Sequence, residues 1–350
     1  MCTMETPRPA RARSRVATAP PSPAAASAAA AVAPRPAEAS GSQPSGSGPS
    51  ASRRRSPAYR RRQLRGWGLF ALFASPNIIL IAVFAYWPVI GNVYLSLTRW
   101  DFISPAPLFV GLANYAQLFA SAAFLDVLRI TLVWVVVVVG VSLLVGMALA
   151  ALFSMRPPGT SAVTGIVFAP HVLSGAAVAA VWLFIFDQNY GLARVAFDAV
   201  GARSPAWTTS SEWALPALLI VSIWKGVGFV AIVYLAAMQG IPAEVLEASR
   251  LDGAGRWQTF RHVTLPLLSP TTFFLTVTQI ISAFQAFDLI AIMTGGGPAS
   301  ATTTLSWFIY EQAFERSNVG YSAAASSVMF VILMAITVLQ FRFVEKRVHY

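Results

Sequence analysis

Four polar side chains, Thr278, Ser282, Gln285 and Asp288, recur at spacings of four, three and three along an otherwise apolar stretch. That spacing places them on one face of an α-helix. An earlier apolar run carries Ser222 and Lys225 on one face, with Trp224 beside them. Hydroxyl, amide, carboxylate and ammonium groups are costly among apolar neighbours, and within a membrane they face a cavity, a pathway or another helix. The chemistry open to them is hydrogen bonding and charge recognition of a polar solute. The same residues also fit a structural role, with Lys225 and Asp288 tying two helices together or capping polar ends. Trp182 and Phe284 offer faces for stacking on a solute, or ordinary core packing.

A second constellation is EVLEASRLDGAGRWQTFRHVTLPLLSP, Glu244 to Pro270. Pro242 suits the first turn of a helix, Glu244 and Glu247 complement its positive N-terminal end, and Gly253 after Asp252 supplies the stop. A second short helix, GRWQTFRHVTL, is predicted to carry Trp257, Phe260 and Val263 on one side, rimmed by Arg250, Arg256 and Arg261, and to end at Pro266. Two readings follow: a docking element for a partner, or an amphipathic hairpin lying on a membrane surface.

Catalytic signatures do not appear. There is no G-x-x-x-x-G-K-[ST], and the glycine run Gly295-Gly296-Gly297-Pro298 lacks the lysine and reads as a turn. His171, His262 and His349 are scattered without ligand spacing, and the single cysteine, Cys2, offers neither a disulfide framework nor a metal site. The chain is therefore expected to bind no cofactor and to be no enzyme.

The elements that must position these residues follow from composition. With 56% hydrophobic and 11% charged residues over 350 positions, the chain is too apolar for a soluble domain. A bilayer core of about 30 Å needs roughly 20 apolar residues per helix, and six runs qualify: about 67–96, 127–153, 161–186, 214–238, 268–293 and 320–341. Runs such as VWVVVVVGVSLLVGMALAALF are apolar on every side, which excludes the alternating strands of a barrel. Residues 1–65, rich in Ala, Pro, Ser and Gly, read as a disordered basic tail. Most of the 25 Lys and Arg fall in that tail, the 154–160 and 239–267 loops and the C-terminal end. The bias predicts both termini in the cytoplasm. It also makes the pI of 10.5 an insertion signal and an attraction to anionic lipid, with no nucleic-acid partner.

The residues Glu247-Ala248-Ser249, Asp252-Gly253-Ala254, Phe260 and Leu265-Pro266 resemble the EAA loop of permease subunits in binding-protein-dependent ABC importers, in the carbohydrate-uptake branch that includes the maltose and glycerol-phosphate permeases. SPNIILIAVFAYWPVIGNVYLSLTRWD, FVGLANYAQLF, DQNYGL, SIWKGVGF, AFDLIAIMTGGGPASATTTL and IYEQAF are similar to that branch in the same order, over about 70–345. The resemblance implies an all-α integral membrane protein of the type I importer fold: a transmembrane domain over 66–345 whose cytoplasmic loop, 239–267, docks on a separate ATPase that consumes the ATP. It implies a second homologous permease, two ATPase copies, an extracellular or periplasmic solute-binding protein, and a bacterial inner-membrane location. Ser249 departs from the family pattern, where a second alanine stands. The end of the chain, ATTTLSWFIYEQAF followed by SAAASSVMFVILMAITVLQFRFVEKRVHY, is similar to the A-type permease of sn-glycerol 3-phosphate importers, which implies that solute or a glycerophosphodiester; a di- or oligosaccharide is the alternative. A membrane-anchored interaction or signalling protein is the competing class, and the polar stripe favours transport, since an anchor does not need one.

Overall fold

The computed structural model describes residues 72–155 and 158–343, so the expected 1–65 tail lies outside the described residues. The chain opens with α1 (Leu72–Ser96), a two-residue antiparallel ribbon of β1 (Thr98–Arg99) and β2 (Leu108–Phe109), and a short α2 (Ala113–Ala120). Then come α3 (Ala122–Ser154), α4 (Thr160–Val172), α5 (Gly175–Ile185), α6 (Leu192–Ala199) and α7 (Ala214–Gln239). The Glu244 to Pro270 stretch holds α8 (Ala243–Leu251), α9 (Arg256–Thr259) and α10 (Leu265–Leu267), and α11 (Ser269–Phe284), α12 (Asp288–Met293), α13 (Leu305–Tyr310) and α14 (Val319–Phe343) complete the chain. Among the described residues five helical stretches are long and apolar enough to cross a membrane, and α4 with α5 makes a sixth. This is an all-α, multi-spanning membrane fold.

Three expectations need correction. The second span starts at Ala122, earlier than 127. At 33 residues α3 is about 50 Å long, longer than the hydrocarbon, and its N-terminal turns therefore carry Asp126 and Arg129 beyond the apolar run. The third span is not one straight helix: α4 and α5 meet at 103°. Leu173 and Ser174 are extended there, and Ser174 Oγ accepts the N–H of Ala177 at 3.2 Å, so a serine cap restarts the helix in a new direction. The fifth span also breaks, between Phe284 and Asp288. Trp134 Nε1 donates to the carbonyl of Ala283 at 3.1 Å, which also accepts the N–H of Ala286 at 3.3 Å as the chain leaves the helix.

Packing is arranged in tiers. One cluster joins Trp134 and Val138 of α3, Val178 of α5, Val221 of α7 and Phe284 and Ile290 around the fifth-span break. A second, further along the same helices, joins Ala150, Phe153, Val230, Tyr234 and Leu275. Small residues set the approaches: a Cβ on Gly146 would lie 2.5 Å from Val230 Cγ1, and one on Gly228 would run into the Val167 carbonyl of α4. Asn92 of α1 donates to Ala323 O at 3.2 Å and Ser327 Oγ at 3.1 Å, a polar tie between the first and last spans. In the DQNYGL turn, Asp187 accepts the N–H groups of Asn189 and Tyr190 at 2.7 and 2.8 Å, which holds its carboxyl below the usual range.

Candidate functional site

The cavity between the two tiers has a volume of about 400 Å³, and Ser222, Lys225, Thr278, Ser282, Gln285 and Asp288 all line it. Trp224 does not; it is turned away, with its ring edge-on to Trp182 at 5.4 Å. Trp182 packs on Phe186 as well, and Phe284 is buried, so both belong to the core. The single-face stripe is realised differently from the sequence expectation. Thr278 and Ser282 lie on α11, Gln285 lies in the break, and Asp288 opens α12, where its charge complements the helix N-terminus. The helix-tying reading fails on geometry. The described residues hold two ion pairs, Arg194 with Asp198 at 3.3 Å and Arg316 with Glu311 at 2.7 Å, and neither involves Lys225 or Asp288.

Sequence reasoning missed Ser142, His171 and Gly175 in the same wall. Ser142 is fully buried and its Oγ has no partner among the described residues. A lone serine in the run of α3 gives no signal in sequence, since serines in apolar helices usually return their proton to a carbonyl one turn back. Gly175 was hidden for a different reason. A Cβ there would lie 2.7 Å from Asp288 Oδ2, so its absence is what allows the start of α5 to approach the start of α12. The two broken spans thus converge at the cavity. Unwound backbone of this kind is tolerated at membrane depth where it is buried in protein or lines a cavity.

The second constellation forms a compact loop. Helix α8 starts after Pro242, with Glu244 in its first turn, and ends at Asp252; Gly253 follows at φ +80°. Backbone bonds from Gly253 N–H to Arg250 O at 3.0 Å and from Ala254 N–H to Ser249 O at 3.1 Å close the turn. Glu247, Ala248 and Asp252 are exposed, and Leu251 and Trp257 project most, at 89% and 68% exposure. Pro266 does not end the second helix. The π turn Phe260–Thr264 comes first, with Leu265 N–H bonded to Phe260 O, and its wider spacing accommodates the proline as the chain continues through α10. Helix α1 uses the same device, with a π turn at Ala82–Tyr86 ahead of Pro88. The added residue per turn also splits the expected patch. Trp257 is exposed, whereas Phe260 and Val263 are half-buried and Phe260 packs against the second core cluster. Leu265 and Pro266 are exposed.

Ser249, the departure from the family pattern, is buried; its Oγ donates to Leu246 O at 2.9 Å and lies 3.2 Å from Thr259 Oγ1. The hydroxyl ties α8 to α9. Ser249→Ala is expected to lower loop stability by about 1 kcal/mol, read as faster amide exchange over 243–259 with the spans unchanged; unchanged exchange in that segment would remove the tie.

Comparison with known proteins agrees with this architecture. Residues 142–350 match the profile of the family described as binding-protein-dependent transport system inner membrane component. The sn-glycerol-3-phosphate transport system permease protein UgpA of Yersinia pestis is 34% identical over 282 residues, covering 80% of this chain and 95% of that protein. A protein of Bacillus subtilis described as "Probable ABC transporter permease protein YurN" is 33% identical over 276 residues, covering 78% and 94%. Among solved structures, a bacterial ABC transporter involved in import of the acidic polysaccharide alginate is similar, with a TM-score of 0.70 and 27% identity, over 83% of this chain and 99% of that one. With residues 142–350 inside the family profile and the match to the relatives spanning nearly their whole length, the chain belongs to the family of binding-protein-dependent transport system inner membrane components.

Proposed function

We propose that this chain forms part of the translocation path of an ABC importer for a sugar or sugar-phosphate-like solute, and that 239–267 is the loop through which a separate ATPase drives it. The observation that carries the reading is the cavity: six polar side chains from two spans, Lys225 among them, meet there without pairing to each other. Phe260 supports the coupling role, because it links the loop to the core cluster beneath the cavity. A single docking loop per chain suits an assembly with a second, similar permease, two ATPase copies and a solute-binding protein, with both termini cytoplasmic.

For the solute, the UgpA relatives are named for sn-glycerol 3-phosphate, and that compound or a glycerophosphodiester is the first candidate. Lys225 is the cation available to its phosphate. Uptake by the complete importer in proteoliposomes, with its cognate binding protein, tests this. Lys225→Gln is expected to lower sn-glycerol 3-phosphate uptake about tenfold or more, as loss of a charged hydrogen bond does. Wild-type uptake in Lys225→Gln would remove the lysine from the path. A second reading, a di- or oligosaccharide, is favoured by aromatic rings that reach the cavity.

A further inference from the structure

The rings of Phe102, Phe314, Tyr310 and Phe287 form a continuous series. Centroids are 6.0 Å apart from Phe102 to Phe314, 5.2 Å from Phe314 to Tyr310 and 5.0 Å from Tyr310 to Phe287. Phe287 is itself part of the cavity wall. The series therefore runs from the connection between β1 and β2, past the end of α13, to the break between α11 and α12. Its distal rings are open, with Phe102 at 51% and Phe314 at 65% exposure.

Both ends are built. Phe102 sits at φ +64°, a backbone region that bulky residues avoid. Four interactions hold that turn. Asp101 Oδ1 accepts the N–H groups of Ile103 at 3.0 Å and Ser104 at 2.7 Å, Trp100 Nε1 donates to Ser104 O at 2.9 Å, and the Trp100 ring stands edge-on to Phe102 at 5.1 Å. The bonds to Asp101 also keep its carboxyl below the usual range. Strain retained at one exposed ring points to a use for that ring's position. At the inner end, buried Trp307 backs Phe287 at 5.7 Å and Tyr310 at 5.3 Å. Gly296, at φ +78°, lies where any Cβ would run into the Trp307 ring.

The geometry points to this series as an entry track for a saccharide, along which the apolar C–H faces of pyranose rings pass from the binding protein's side to the cavity. Successive rings are inclined by 26°, 35° and 60° from Phe102 inward, so a ring face and then a ring edge meet the passing sugar, and the Tyr310 hydroxyl and the Glu311–Arg316 ion pair beside Phe314 offer polar groups to sugar hydroxyls. The inference rests on the sugar reading above and selects its ring-bearing form, because sn-glycerol 3-phosphate has no ring face. An aromatic belt at the membrane interface is the competing use of such rings. A belt requires neither a strained turn nor continuity with a cavity.

The test is uptake by the complete importer in proteoliposomes, normalised to inserted protein, with maltotriose, an alginate trisaccharide and sn-glycerol 3-phosphate as probes. Leucine keeps the apolar bulk of phenylalanine and removes the ring. Phe102→Leu and Phe314→Leu are each expected to lower uptake of the transported saccharide, at sub-saturating concentration, about three- to tenfold, and Phe314→Trp to retain it. Wild-type saccharide uptake in both leucine variants overturns the track while leaving the sugar reading standing. A wild-type importer that moves sn-glycerol 3-phosphate and neither saccharide overturns the ring-bearing reading, and the track with it.

Discussion

Gly253→Asp and Glu247→Lys are each expected to yield normally inserted protein that imports solute at about a tenth of the wild-type rate or less. At φ +80° Gly253 occupies the left-handed region, yet a Cβ there meets nothing within 4 Å inside the chain. Asp is among the residues that tolerate this backbone, so the fold of the loop survives and the loss arises where the ATPase comes close. Glu247 is exposed on α8 with no partner of its own among the described residues, and under the proposed docking role charge reversal there would remove an acceptor for a basic or backbone donor on the ATPase. Uptake and solute-stimulated ATP hydrolysis should fall together in both variants. Wild-type uptake in both, with the ATPase still bound, would contradict the docking assignment.

The second large effect lies in the membrane. Gly228→Ala places a methyl group against the backbone carbonyl of Val167, which cannot swing aside as a side chain would. Overpacking of this kind costs about 1–3 kcal/mol or more, and here it pushes α4 away from α7, carrying His171 and the Gly175–Asp288 approach with it. Thermal unfolding in detergent should show a clear drop in midpoint and a loss of transport. Gly140→Ala, where a Cβ meets nothing within 4 Å, is the control and should behave as wild type. Equal midpoints for the two variants would show that the α4–α7 approach is not tight.

That the chain carries several helices long and apolar enough to cross a membrane was legible because hydrocarbon thickness and hydropathy decide it without tertiary detail. The loop was legible for a related reason: Pro242, Asp252 and Gly253 act through local backbone preferences. What sequence could not show depended on contacts between distant segments. The break after Phe284 contains no glycine or proline, and its stabilising donor, Trp134, is 149 residues away from Ala283. Ser174 caps α5, but only the direction of α5 reveals that the chain turns by 103° there. The residues of the polar stripe line one cavity, but not from a single helix face, since Asp288 arrives at the wall from a new helix. Trp224 was misplaced because adjacency in sequence on a helix means roughly a quarter-turn in space. Proline in sequence reads as a helix stop, whereas the π turn before Pro266 has a wider hydrogen-bond spacing that lets the helix pass it.

The most direct measurement places a photo-crosslinking amino acid at Leu251, the most exposed large apolar residue at the end of α8, in the complete importer within native membranes. Irradiation is predicted to join this chain to the ATPase subunit, with the adduct diminished by Glu247→Lys. An adduct with lipid alone, unchanged by that substitution, would mean that the segment lies on the membrane surface and does not transmit the ATPase stroke to the cavity.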